Sequence, residues 1–526
     1  MPDAVETWKP KFNPWAIAVV VAMAAFMEVL DTSIANVALP HLAGDLGASN
    51  DESTWVLTSY LVSNAIVLPI SGWLASTFGR KRFFMTCIFM FTVTSLLCGI
   101  APSLGALVIF RVIQGAGGGG LQPMAQAILA DTFPPEKRGL AFALYGVTAV
   151  MAPAIGPTLG GWLTDNYSWR WIFYINLPVG VLALFLVYRM VEDPPFLARN
   201  RGAGVRVDFI GISFLALAVG ALQILLDKGQ EDDWFGSHFI VTLIFLSAIG
   251  FICLIVWEWR HPAPVVDVRM FKSFNFAVSS LMMFFLGVLF FSSLVMMPQF
   301  LQTLMGYTAE TSGLVLSGAS VVILFEMPVV GQLTTKIPAK YIMAFGWLSL
   351  AFGMYLSTKR LDLLISFGSA STLRIAQSFG LAFLFVPINL ASYIGIPPEK
   401  GNSVSGLVNF MRNIGSSVGT SMVTTLLARR AQFHQNMLSF HATNYDPAFR
   451  NQLTGLSSQL VHTGATVPDA QLQAYARINQ TLEVQSTTLA YIDTYMLLAI
   501  AASIMFVLAF LVRTNNPKAP RQVVAE

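Results

Sequence analysis

From residue 14 onward the sequence is a succession of apolar runs, each about 20 residues long, separated by short polar breaks. A helix of that length crosses the roughly 30 Å hydrocarbon layer of a bilayer and satisfies its own backbone while doing so. Charged residues make up 11% of the chain, against about 25% in soluble domains. The chain is therefore read as an all-α polytopic membrane protein. Fourteen runs meet the criterion: 14–39, 54–77, 83–100, 104–130, 140–163 and 171–188, then 209–226 and 239–257, then 274–301, 312–333, 341–357, 363–394, 404–428 and 494–512. The first is too long for a signal-peptide core and ends without a small-residue cleavage site, so it is expected to stay as a span.

Lysine and arginine fix the orientation. About 20 of the 31 fall on one side, including Lys11, Arg80, Lys81, Arg82, Lys137, Arg138, Arg189, Arg260, Arg269, Lys272, Lys336, Lys340 and Lys400. Short loops on the other side hold only Arg170, Lys228, Lys359 and Arg360. An even number of spans puts both termini on the basic, cytoplasmic side. Basic turns opened by glycine follow the second span of each six (Gly72 to Lys81, Gly331 to Lys340). That suggests two homologous halves with an inserted helix pair, an organisation in which transporters place substrate between the halves. The expected divisions are a tail at 1–13, a first half at 14–190, a linker with two extra helices at 191–272, a second half at 273–512 and a tail at 513–526. The second half includes a long outer loop at 429–493, whose apolar residues recur at loose helical spacing.

Charges at membrane depth are expensive and mark ion or proton pathways. The first span carries Glu28 and Asp31, one helical turn apart, so they are expected to titrate as a coupled pair. Arg111 in the fourth span needs an acidic partner, and Glu28 and Asp31 are the nearest by topology. Glu326 is a second protonation site or a contact for cationic ligands; Arg374 and Arg412 pair with it or contact anionic ones. The GxxxxGK[ST] phosphate loop is absent, and so is a nucleophile constellation or metal-ligand cluster. Catalysis, nucleic-acid binding and a bound cofactor or metal are not expected. The three cysteines lie inside apolar runs and build no disulfide framework.

Four motifs resemble the major facilitator superfamily, in its fourteen-span drug:proton antiporter branch of EmrB/QacA type. Leu30-Asp31-Thr32-Ser33-Ile34-Ala35-Asn36 resembles the branch's first-span signature. The loop Gly72 to Arg82 is similar to the superfamily's cytoplasmic loop, matching at Gly72, Gly79, Arg80 and Lys81, with Ser76 where an aspartate is usual. Arg111-Val-Ile-Gln114-Gly115 resembles a motif whose arginine is implicated in proton coupling. Ala152-Pro153-Ala-Ile-Gly156-Pro157-Thr-Leu-Gly160-Gly161 resembles the antiporter motif, with Ala152 replacing a usual glycine.

The resemblance implies a major facilitator fold and proton-coupled export of hydrophobic or amphipathic compounds by alternating access, powered by the proton gradient. Asp31 with Glu28, Arg111 and Glu326 are its coupling residues. Gly72, Gly79, Arg80, Lys81 and Asp131 gate the cytoplasmic side, Arg80 pairing with Asp131. Pro153, Gly156, Pro157, Gly160 and Gly161 allow a kink at a rocking interface. Asn36, Met283, Phe284 and Phe291 are candidate substrate contacts, since Met and Phe adapt to varied shapes. The long outer loop makes the chain more similar to EmrB-type permeases, which implies a bacterial inner membrane, a periplasmic membrane-fusion adaptor and an outer-membrane channel. The alternative on the same fold is a specific exporter of a lipid, fatty acid or siderophore.

Overall fold

The computed structural model describes residues 10–194, 207–440, 442–443 and 445–513, and every regular element among them is helical. The stretches 1–9, 195–206 and 514–526, with most of both expected tails, part of the expected linker and the cations Lys9, Arg199, Arg201, Arg206, Lys518 and Arg521, lie outside the described residues.

The first set comprises α1 (Pro14–Leu46), α2 (Trp55–Phe78), α3 (Arg80–Gly99), α4 (Leu104–Gly118) continued by α5 (Leu121–Thr132), α6 (Pro135–Asn166) and α7 (Asn176–Met190). The inserted pair is α8 (Phe209–Lys228) and α9 (His238–Arg260). The second set comprises α10 (Phe274–Thr303), α11 (Ala309–Leu333), α12 (Ala339–Arg360), α13 (Phe367–Ser378) continued by α14 (Ala382–Ser392), α15 (Gly401–Ser439), α16 (Pro447–His462) and α17 (Val467–Leu508). The helices begin and end where local chemistry dictates. Asn13 caps α1 by accepting from the Trp15 N–H, with Pro14 next in line. Gly79 separates α2 from α3 at φ +93°, a backbone that a side chain would strain.

Among the described residues twelve helices are long and apolar enough to cross a membrane, thirteen with the bent α6. The remaining expected span, 404–428, lies within α15, which is too polar to qualify by composition. Its Asn402, Ser405 and Asn409 are buried because α15 packs against α2, α5, α10 and α17 at the centre of the bundle instead of facing lipid. Outside the bundle, α15, α16 and α17 form a helical extension closed by Phe449, Leu453 and Leu460 on Ala470, Ala474 and Ile478.

The two sets meet along α2–α15 and α6–α11. On the basic side both seams are shut by backbone contact. A Cβ on Gly72 would lie 2.7 Å from the Ser403 Cα, and one on Gly331 would lie 3.0 Å from the Gly139 carbonyl. Phe142 and Tyr393 stack across the sets at 5.9 Å. Away from the basic side the space widens: along one stripe of α1, Glu28 is buried, Thr32 half-buried and Asn36 exposed.

The bend in α6, 41° between Glu136–Pro153 and Ile155–Asn166, follows from its prolines. Pro157 has no N–H for the Pro153 carbonyl, and the Ser33 hydroxyl of α1 donates to that carbonyl instead at 3.2 Å. Gly160 faces the Ile34 backbone, and Gly156 faces Ser33. The expectation that this motif forms the rocking interface is therefore corrected for these two glycines, which pack α6 onto α1 inside the first set. The opposite face of α6 crosses to the second set, with Gly146 against Met327 and Thr158 against Gly313.

Helix α8 touches both sets. Asp227 accepts from the Thr58 hydroxyl and Lys228 donates to Thr54 at 2.5 Å, both on the α2 side. Gln223 exchanges hydrogen bonds with Ser417 of α15 at 2.9 and 3.0 Å, and Trp234 donates to Thr425. The inserted pair thus braces the α2–α15 seam. With Cys253 replaced by serine, Thr58→Cys/Asp227→Cys and Gln223→Cys/Ser417→Cys are both expected to cross-link under mild oxidation in membranes. A pair hung on one set alone gives only one of the two products on gels.

Candidate functional site

Asp31 of α1 sits at a node inside the first set. It accepts from Arg111 Nη1 at 2.6 Å, from Asn176 Nδ2 at 2.7 Å and from Gln114 Nε2 at 3.2 Å. Arg111 is fully buried; it also donates to the Val56 carbonyl and to Gln114 Oε1, and its guanidinium lies 4.2 Å from the Tyr60 ring centroid. Asn176 reaches on to Ser95 at 3.0 Å. One carboxylate thereby ties α1, α2, α3, α4 and α7 together. Of the two acids open to Arg111 from the sequence, Asp31 is its partner.

Glu28 faces elsewhere. It accepts from Gln122 Nε2 at 2.5 Å, Asn64 Nδ2 at 3.0 Å and the Tyr60 hydroxyl at 3.3 Å. Three residues on a helix leave the two side chains about 60° apart around the axis and one turn apart along it, and Tyr60 lies between the acids, its hydroxyl on Glu28 and its ring under Arg111. Glu28 and Asp31, expected to act together, thus face different partners. Each has its own set of donors, and the Asp31 charge is compensated by Arg111.

Gln122 carries the Glu28 network across to the second set. Its Oε1 accepts from Arg412 of α15 and from the Tyr145 hydroxyl at 3.0 Å. One turn on, Gln126 and Asn409 repeat the crossing, Asn409 donating at 2.8 Å. Glu28 and Arg412 share the wall of a cavity of about 130 Å³ between the sets, with Phe290, Phe291 and Phe385 among its apolar lining. Room for several waters and a polar rim in an aromatic chamber is the composition of a small-molecule site.

The other expected residues separate clearly. Of the substrate candidates only Phe291 lines the cavity: Asn36 is exposed beyond its mouth, Met283 is buried in the core, and the backbone of Phe284 abuts Gly415. Gln122, Asn64 and Phe385 were missed, although a glutamine in the apolar run after Gly117 to Gly120 is itself a signal. Glu326 is 9% exposed on α11, away from the cavity wall, and neither carboxylate oxygen has a hydrogen-bond partner among the described residues. Arg374 and Arg412 do not pair with it. Arg374 donates to Ser293 and Gln377, and Gln377 to Ser357. This repeats the Arg111–Gln114 unit in the second set, with Ser293 of α10 where α1 has Asp31.

On the basic side Arg80 meets Asp131 at 2.6 Å and the Ala127 carbonyl at 3.2 Å, while the Lys81 N–H and ammonium bond Asp193 and the Tyr188 carbonyl. All of these lie within the first set except Asp193, which follows its last helix. Ser76 only back-bonds to Trp73. Contact between the sets on this side is made at the glycine seams and the Phe142–Tyr393 stack.

The family model described as Major Facilitator Superfamily matches residues 21–420. The chain belongs to the Major Facilitator Superfamily. Within it the chain is EmrB-like. It is 38% identical to the multidrug export protein EmrB of Haemophilus influenzae over 431 residues, 82% of this chain and 84% of that one. It is 36% identical to the fatty acid resistance protein FarB of Neisseria gonorrhoeae, over 85% of this chain and 87% of that one. Among solved structures, the proton:xylose symporter XylE superposes with a TM-score of 0.56 at 15% identity, covering 96% of this chain and 97% of that one, a likeness of fold. The protein is a multi-pass membrane transporter of this superfamily.

Breaking a buried ion pair from one side costs about 3–5 kcal/mol, against about 1 kcal/mol for a neutral hydrogen bond. Asp31→Asn is therefore expected to lower the thermal unfolding temperature in detergent far more than Glu28→Gln, since only the former strands Arg111.

Proposed function

We propose that the protein exports hydrophobic and amphipathic toxic compounds in exchange for protons, by alternating access, from the bacterial cytoplasmic membrane. The observation that carries this reading is Glu28 in the wall of an aromatic cavity between the two sets, bonded through Gln122 to Arg412 of the other set. The multidrug-export names of the EmrB relatives support it.

Glu28 is the exchange site. Ionised, it accepts from three donors and attracts a cationic or polarisable substrate; a proton arriving from the outer side cancels that attraction and releases the substrate outward. Asp31 holds Arg111 in place and so fixes the helices around Glu28. The glycine seams close the basic side, which is the cytoplasmic one, while the cavity widens outward. One proton crossing about 100 mV supplies about 2.3 kcal/mol, which sustains a roughly forty-fold substrate ratio at about 1.4 kcal/mol per tenfold. The helical extension at 429–493 faces the periplasm, where a membrane-fusion adaptor leading to an outer-membrane channel completes the path.

A second reading, specific export of a fatty acid, is favoured by Arg412, a cation in the cavity wall with no carboxylate within salt-bridge distance among the described residues. The two are separated in acidified everted vesicles. Several unrelated cationic dyes are expected to discharge the proton gradient with the wild type and not with Glu28→Gln. Discharge by dodecanoate alone establishes the specific exporter, and discharge by neither class overturns both.

A further inference from the structure

The least covered helix, α9, carries a site of its own. Its mean hydropathy of 3.0 is the highest of the twelve apolar spans, and only 28% of its core window is buried. Its main neighbour is α8, so the rest of its surface meets lipid. At its basic-side end lies a groove of about 590 Å³ walled by Phe214, Ile252, Val256 and Trp257, with Arg260 and His261 at the rim.

The groove is built rather than incidental. The Trp257 indole N–H donates to both oxygens of Asp208 at 3.0 Å, and its ring stacks on His261 at 5.8 Å between centroids. The cations around it are already divided. Arg269 caps the end of α9, donating to the Trp259 carbonyl at 2.9 Å and to the His261 carbonyl at 2.5 Å. Lys272 lies over the Trp259 ring at 4.8 Å. Arg260 is left exposed, with no hydrogen bond or ion pair among the described residues. Of the acids at this end, Asp208 and Glu258 are buried behind the groove and Asp267 is paired with Lys400 at 2.6 Å.

We propose that this groove binds one anionic phospholipid of the leaflet on the basic side, its phosphate on Arg260 and its upper acyl chain along Ile252, Val256 and Phe214. An apolar trough opening to lipid supplies chain contact, and a free guanidinium at headgroup depth supplies the charge match. The site is independent of what the central cavity carries.

Native mass spectrometry of the purified full-length protein, titrated with phosphatidylglycerol or phosphatidylcholine, tests this. The wild type is expected to retain one more phosphatidylglycerol than Arg260→Gln. A cation near the surface gains about 1 kcal/mol, so affinity for that lipid should fall about five-fold, with phosphatidylcholine unchanged. Arg82→Gln, an exposed basic-side cation elsewhere, should behave as wild type. Val256→Trp, which fills the trough and leaves the charge, should also lose the lipid. Equal phosphatidylglycerol retention by wild type and Arg260→Gln overturns the proposal. So does unaltered retention by Val256→Trp, or dodecanoate occupying the groove in preference to phosphatidylglycerol.

Discussion

The buried ion pair between Asp31 and Arg111 is the constraint around which the first six spans are arranged. A guanidinium with no exposure is tolerable at membrane depth only if charge and donors are met by protein. Asp31, Gln114 and the Val56 carbonyl take up Nη1 and Nε, the Tyr60 face lies against the guanidinium, Nη2 has no hydrogen-bond partner among the described residues, and Asn176 and Ser95 extend the set. Such a network orders five helices at once. It leaves a neighbouring acid, Glu28, to face the space between the sets with neutral donors of its own.

The second set shows what this arrangement is without its acid. Arg374 and Gln377 reproduce the arginine and the glutamine three residues on, but Gln377 meets Ser357 of the preceding span where Gln114 meets Cys98, and Ser293 replaces the carboxylate. The two halves thus share a framework and differ in charge, and the cavity wall holds its carboxylate, Glu28, on the side of the first set. Gln122 joins the halves by donating to Glu28 with its amide nitrogen and accepting from Arg412 with its oxygen. Glu28 is connected across the seam through that one side chain.

Much of this was legible in the sequence for identifiable reasons. Apolar run length located the spans because lipid imposes it. Gly79 and the prolines of α6 announced a turn and a bend because backbone chemistry demands them there. Harder to read was anything that depends on which face of a helix looks inward. Glu28 and Asp31 are close in sequence and belong to different networks, a distinction set by partners on α2, α4 and α5. Phe284 and Phe291 look alike in the apolar run of α10, and only one reaches the cavity. The span 404–428 was found by length, yet its polar face made sense only once α15 was seen at the bundle's centre.

Proton exchange at Glu28 is tested most directly by substrate binding to the purified protein in weakly buffered solution near neutral pH, followed with a pH indicator. If substrate and proton compete for this carboxyl, a saturating lipophilic cation releases up to about one proton per wild-type protein and none from Glu28→Gln. Equal release from both proteins would contradict Glu28 as the exchange site and move proton coupling to another group.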